Sequence, residues 1–204
     1  MLTFDKDLHQ YYWNGAPVDS VTQILSGGGV SDYSQIPEHL IEEVQQRGTL
    51  VHAAAQAYDK LVGDRLVRLE NLNWPQLPDR IRPYVSAYVD FRISTGIVPL
   101  KNEIMGYNSE LCYAGTADLI ARMPDGRIML IDLKSGPLLP SVAIQTIAYA
   151  EMDEVKAQFP VLERHGLQLK NDGKFKFSLP YTHPGHLTVL KSAINVHRFN
   201  QGAA

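Results

Sequence analysis

The sequence predicts an α/β fold in which helices flank a mixed β-sheet. Two observations carry that prediction. Three consecutive strand-like runs occupy the stretch from Val98 to Lys134, and the segments before and after them repeat apolar residues at three and four, the helical period. At 204 residues, with 45% hydrophobic and 20% charged residues, the chain suits one substantial core, so residues 1–204 are expected to form a single domain.

Taken in order, Gln10-Tyr11-Tyr12-Trp13 and Ala16-Pro17-Val18 flank Asn14-Gly15, a pair that tolerates positive φ at both centres of a tight turn, and so predict an N-terminal β-hairpin. Val21 to Leu25 reads as a short helix capped by Ser20 and ended by Gly27-Gly28-Gly29. Those glycines lack the Lys-Ser/Thr of a phosphate-binding loop and read as a turn. A helix begins at Pro37 with Leu40, Ile41 and Val44 on one side. A second helical segment follows Gly48, carries Val51, Ala54, Ala55, Tyr58 and Leu61 as a stripe, and ends near Gly63.

Asp79 to Thr95 predicts another helix, with Pro83 in its first turn. Strands are expected over Val98–Tyr107, Leu111–Met123 and Arg127–Lys134, the last two joined by Pro124-Asp125-Gly126. A long helix should run from Pro140 to about Phe159. A second hairpin turns at Asn171-Asp172-Gly173 between Gly166–Lys170 and Lys174–Phe177, and a final helix covers His186 to Asn200.

No run of about 18 or more apolar residues is present to span a membrane, and the opening Met1-Leu2-Thr3-Phe4-Asp5-Lys6-Asp7 lacks the basic-then-apolar order of a secretory leader. A cytoplasmic protein without a membrane partner is expected. The single cysteine, Cys112, forms no internal disulfide and cannot alone hold zinc or an iron–sulfur cluster. A net charge of −3 neither favours nor excludes nucleic acid, because acids clustered at a metal site lower the total while lysines and arginines still line a track.

The chemistry concentrates in Gly115-Thr116-Ala117-Asp118 and in Ile128-Met129-Leu130-Ile131-Asp132-Leu133-Lys134. Asp132 and Lys134 are two apart on a strand and share a face, and Asp118 sits on the neighbouring strand. Two carboxylates in apolar surroundings are costly without a compensating cation. Oxygen ligands of this kind suit Mg²⁺ or Mn²⁺, which lowers the pKa of a water and offsets phosphate charge, while Lys134 orients that water or stabilises the transition state. Asp-x-Lys alone is a weak signal: Asp172-Gly173-Lys174 repeats it in a turn.

With these motifs in order, the chain resembles the PD-(D/E)xK nuclease superfamily, and within it the RecB-like and phage-exonuclease branch. Gly115-Thr116-Ala117-Asp118 matches the first motif without its nominal proline, and Asp132-Leu133-Lys134 the second. Gln145-Thr146-Ile147-Ala148-Tyr149 matches the Gln-xxx-Tyr that follows, Arg47 to His52 resembles the upstream Gly-x-x-x-His segment, and Tyr12 through Leu25 is similar to the N-terminus of small phage-encoded members. The resemblance implies a restriction-endonuclease-like core and Mg²⁺ or Mn²⁺ held by Asp118, Asp132, the Leu133 carbonyl, His52 and Glu103. It also implies a catalytic Lys134 positioned by Gln145 and Tyr149. Some relatives carry a four-cysteine iron–sulfur cluster, which Cys112 alone rules out.

Plainer readings stand beside these. His52, followed by three alanines, also fits a packed or solvent-facing histidine, and Glu103 an ordinary exposed strand residue. Asp118 and Asp132 could serve only as salt-bridge partners of Lys134. Gln145 and Tyr149 fit routine helix positions. Arg47 is either a solvated helix end or a clamp for a DNA 5′ phosphate, and Lys170, Lys174 and Lys176 form either a solvated hairpin face or a backbone track. Tyr11-Tyr12-Trp13 reads as core rather than as a base-stacking platform.

The expected activity is hydrolysis of DNA phosphodiesters, as an exonuclease on linear double-stranded DNA in phage or bacterial recombination and repair, with a recombination or strand-annealing protein as a further partner. A structure-specific or restriction-type endonuclease and an inactive DNA-binding protein of the same fold are the alternatives.

Overall fold

A computed structural model describes residues 1–31, 37–72 and 77–202. It is an α/β arrangement with two sheets. The first is antiparallel and three-stranded: β1 (Leu2–Asp5), β2 (Gln10–Trp13) and β3 (Ala16–Val18). The expected hairpin is therefore extended by β1, and Asn14 and Gly15 both take the positive φ its turn requires. Helix α1 (Val21–Gly27) starts at a complete capping box, Ser20 Oγ accepting from the Gln23 amide and Gln23 Oε1 from the Ser20 amide.

Helix α2 (Glu38–Val62) is one continuous helix and corrects the expected division at Gly48. An interior glycine costs about 1 kcal/mol of helix propensity, too little to break a helix whose following turns bury Val51, Ala54, Ala55 and Tyr58. A 3₁₀ turn (Leu69–Asn71) precedes α3 (Arg82–Thr95), which carries Pro83 in its first turn and ends at Gly96 in the left-handed conformation.

The second sheet has the order β4-β5-β6-β7-β8, built from β4 (Val98–Asn108), β5 (Tyr113–Arg122), β6 (Ile128–Lys134), β7 (Glu163–Leu169) and β8 (Phe175–Phe177). Only β6 and β7 pair in parallel, so the sheet is mixed as expected. The crossover between them is not one long helix but two, α4 (Ser141–Ala150) and α5 (Asp153–Gln158). Met152 is extended and fully buried between them. The end of β4 explains the break: Asn108 Nδ2 donates to the Glu151 carbonyl at 2.6 Å, and the Tyr107 amide donates to Glu154 Oε2 at 2.7 Å. Helix α6 (His186–Asn200) closes the described chain.

Helices α2 and α3 bury Tyr58, Tyr88 and Phe91 against one face of the second sheet. Helices α1, α4 and α6 cover the other, where Ile24, Ile144 and Ile194 meet Ile120 and Leu130. The small sheet docks beside β5: the Ala114 amide donates to the Asp19 carbonyl at 2.9 Å, and Trp13 stacks on Tyr107 with ring centroids 4.3 Å apart. No helix among the described residues is long and apolar enough to cross a membrane.

A candidate metal centre

Register places three carboxylates side by side across β4, β5 and β6. Asn102 pairs with Leu119 and Ile104 with Ala117, which sets Glu103 beside Asp118. Leu119 pairs with Ile131, which carries Asp118 toward Asp132. The β5–β6 ladder ends at that last pair, and a side chain takes over from the backbone: Asp118 Oδ2 accepts the Leu133 amide at 2.7 Å. Glu103 has φ of 52°, a left-handed conformation rarely adopted by a non-glycine residue and characteristic of strained functional positions.

His52 reaches this row from α2. Its Nε2 is 2.9 Å from the Leu133 carbonyl, and its Nδ1 is 3.5 Å from Asp118 Oδ1 and 3.9 Å from Glu103 Oε1. Donation from Nε2 to the carbonyl fixes the ring and aims Nδ1 at the carboxylates, the arrangement by which backbone groups orient a metal-binding imidazole. His52, Glu103 and Asp118 each offer a ligand atom within 4.8 Å of the others.

Asp132 lies beneath, fully buried, with Oδ2 2.5 Å from Lys134 Nζ. That contact is a close ion pair, and neither carboxylate oxygen of Asp132 has a hydrogen-bonding partner besides it among the described residues. Burial pushes the Asp132 carboxyl up to about 6 against the pull of Lys134, and burial together with the Asp118 charge pushes Glu103 up to about 7. Burial opposes charge on His52, yet the adjacent Asp118 carries it up to about 9, while His52 and Lys134 hold Asp118 below the usual carboxylate range despite its burial. Without a divalent cation, His52 and Lys134 are the charges that balance the acids.

His52, Glu103, Asp118, Lys134, Gln145 and Tyr149 line one cavity of about 490 Å³. On α4, Gln145 Nε2 donates to the Tyr149 hydroxyl at 2.8 Å, and the Tyr149 ring lies against Gly115, where a β-carbon would come within 2.9 Å of it. The glycine of the Gly-x-x-Asp motif thus admits the tyrosine to the site. Arg47 does not join the cavity: its guanidinium sits 5.7 Å from the Tyr84 ring centroid and its Nε donates to Ser135 Oγ at 3.4 Å.

Several lining residues carry no site role in the sequence, among them Thr116, Tyr11, Phe4 and His9. Tyr11 hydrogen-bonds Thr116 Oγ1 at 2.8 Å, and Phe4 and His9 share the same wall. Thr116 carried a usable signal, being two residues before Asp118 on one strand face. The others come from a separate sheet whose docking no local pattern reveals. Comparison with models of known protein families and with curated proteins finds no match to this chain.

Proposed function

We propose that this chain is a metal-dependent deoxyribonuclease of the PD-(D/E)xK superfamily with a restriction-endonuclease-like core. On this reading it acts as an exonuclease on linear double-stranded DNA in phage or bacterial recombination, in the cytoplasm, with a recombination or strand-annealing protein as its partner. The observation that carries the reading is the meeting of His52, Glu103 and Asp118 within 4.8 Å in a cavity that also receives Lys134. Motif order adds to it, since Gly115 to Asp118, Asp132 to Lys134 and Gln145 to Tyr149 follow one another as in that superfamily.

The donor set fits Mg²⁺ or Mn²⁺: carboxylate oxygens with one imidazole, and a buried Asp132 whose oxygens lack hydrogen-bonding partners besides Lys134 among the described residues. His52, Glu103, Asp118 and Asp132 would hold the ion, while the Leu133 carbonyl is engaged by His52 Nε2. A divalent cation there supplies Lewis-acid polarisation of the phosphate and a more acidic water. Lys134, anchored by Asp132 at one end of the cavity, donates to a phosphate oxygen and orients the attacking water. Gln145 holds the Tyr149 hydroxyl in the same wall and limits its rotation.

The test uses linear duplex labelled at the 5′ or the 3′ end, beside covalently closed circular DNA, with and without Mg²⁺. Mononucleotide release from linear DNA alone is expected, with Asp132→Ala and Lys134→Ala inactive but folded. Undiminished Mg²⁺-dependent digestion by those variants rejects the reading, and cutting of the closed circle makes the enzyme an endonuclease.

A further inference from the structure

The cavity that holds His52, Glu103 and Asp118 also has an aromatic wall, supplied by the N-terminal sheet. Phe4 on β1 sits with its ring centroid 4.5 Å from Tyr11 and 5.3 Å from His9, the latter pair edge-on at 79°. All three line the cavity, yet they are not packed alike: Tyr11 is buried, Phe4 half-buried and His9 exposed. An exposed ring poised on a half-buried one, at the mouth of a polar cavity, leaves π-surface open that a core would cover.

The backbone holds His9 there deliberately. Asp5 Oδ1 accepts from the amides of Asp7 and Leu8 at 2.9 and 3.0 Å, closing the β1–β2 turn, and His9 follows with φ of 52° in the left-handed region. His9 also lines a neighbouring groove of about 1120 Å³, walled by Ile41, Val44 and Leu50, and Thr22 and Thr49 border both spaces. His9 therefore stands where the two spaces meet.

Charge identifies what can lie there. Among the described residues, Lys134 is the only lysine or arginine lining the cavity and Lys6 the only one lining the groove, while Glu103, Asp118, Asp7 and Glu42 contribute acids. Beyond the one phosphate that a metal, His52 and Lys134 would meet, few side chains lining these spaces can neutralise a DNA backbone. Base stacking is the term left, and only an unpaired base offers its faces.

Resting on the nuclease reading above, we propose that Phe4 and His9 form a stacking platform for unpaired nucleobases of the DNA strand entering the cavity. The substrate class is thus a single-stranded stretch or a frayed duplex end, held by its bases more than by its phosphates.

The test compares a labelled oligodeoxythymidylate with a strand of equal length made of abasic residues, by fluorescence anisotropy with Ca²⁺ in place of Mg²⁺. The chain should prefer the base-bearing strand by about tenfold or more, the scale of one or two stacked bases. Phe4→Leu keeps the apolar volume without a ring, and His9→Asn tolerates the left-handed backbone without one. Each should remove most of the preference and leave affinity for the abasic strand unchanged. Equal binding of the two strands by the parent chain, or an undiminished preference in the double variant, overturns the platform. Mg²⁺-dependent cleavage by the parent chain, scored alongside, separates the two ideas. Cleavage without base preference overturns the platform alone, and base preference without cleavage upholds the platform and overturns the nuclease reading.

Discussion

Asp118 faces His52 through one carboxylate oxygen and the β6 backbone through the other: Oδ1 is 3.5 Å from His52 Nδ1, and Oδ2 accepts the Leu133 amide at 2.7 Å. One residue therefore both orients the imidazole and ends the β5–β6 ladder. Asp118→Asn keeps an oxygen for the Leu133 amide but removes the counter-charge of His52, and should lower metal-dependent cleavage at least about 10²-fold. Asp118→Ala strands that amide as well, so it should be less stable than Asp118→Asn by about 1–3 kcal/mol. Denaturant melts of both variants check this, and equal stability would count against the dual role.

Asp132 is a buried carboxylate whose oxygens lack hydrogen-bonding partners besides Lys134 among the described residues, and a cation compensates it. In EDTA, Asp132→Asn should raise stability by about 1–2 kcal/mol, since Lys134 is 28% exposed and can turn its charge to water. Saturating Mn²⁺ should raise the stability of the parent chain, by about 2.7 kcal/mol at a hundredfold excess over Kd, and raise that of the variant far less. Thermal melts with and without Mn²⁺ read both effects.

Gly115 has no room for a side chain. An added β-carbon would lie 2.9 Å from Tyr149 Cε1 and 3.0 Å from Val21 Cγ2. Gly115→Ala should therefore cost about 1–3 kcal/mol and displace Tyr149 from the cavity wall. Loss of activity larger than the loss of folded protein would show that the displaced ring matters to the chemistry.

Gly48 is the opposite case. It lies inside α2, and an added β-carbon would meet only Ser135 Oγ at 4.0 Å. Gly48→Ala should stabilise the chain by about 0.5–1 kcal/mol through helix propensity, read as a higher denaturation midpoint at unchanged slope.

Asp59 and Arg92 form a buried ion pair linking α2 to α3, with Tyr88 and Asn102 also donating to the carboxylate. Arg92→Met alone should cost about 3–5 kcal/mol by leaving a buried charge uncompensated, and Asp59→Leu added to it should restore part of the loss. A double-mutant cycle measures that coupling; simple additivity would refute it.

Much of the fold was legible in the sequence because its signals are local. The capping box at Ser20, the turns at Asn14-Gly15 and Asn171-Asp172-Gly173, and the apolar runs of β5 and β6 each occupy a few consecutive residues. Errors fell where distant partners decide. Gly48 marks a helix break by propensity, but the burial of Val51, Ala54 and Tyr58 carries α2 through it. The crossover helix breaks at Met152 because Asn108 and Tyr107, far away in the chain, take its carbonyl and carboxylate partners.

The candidate site divides the same way. By itself the sequence determined that Asp132 and Lys134 share a strand face and that Asp118 lies on the strand before, because a two-residue period and a short turn leave no other choice. Only the tertiary structure decided that His52 binds the Leu133 carbonyl, that Glu103 stands beside Asp118 in a left-handed conformation, that Arg47 lies outside the cavity, and that Phe4, His9 and Tyr11 wall it. Those relations depend on how α2 and the small sheet pack onto the second sheet. Packing is set by the summed complementarity of surfaces far apart in the chain, which no local spacing encodes.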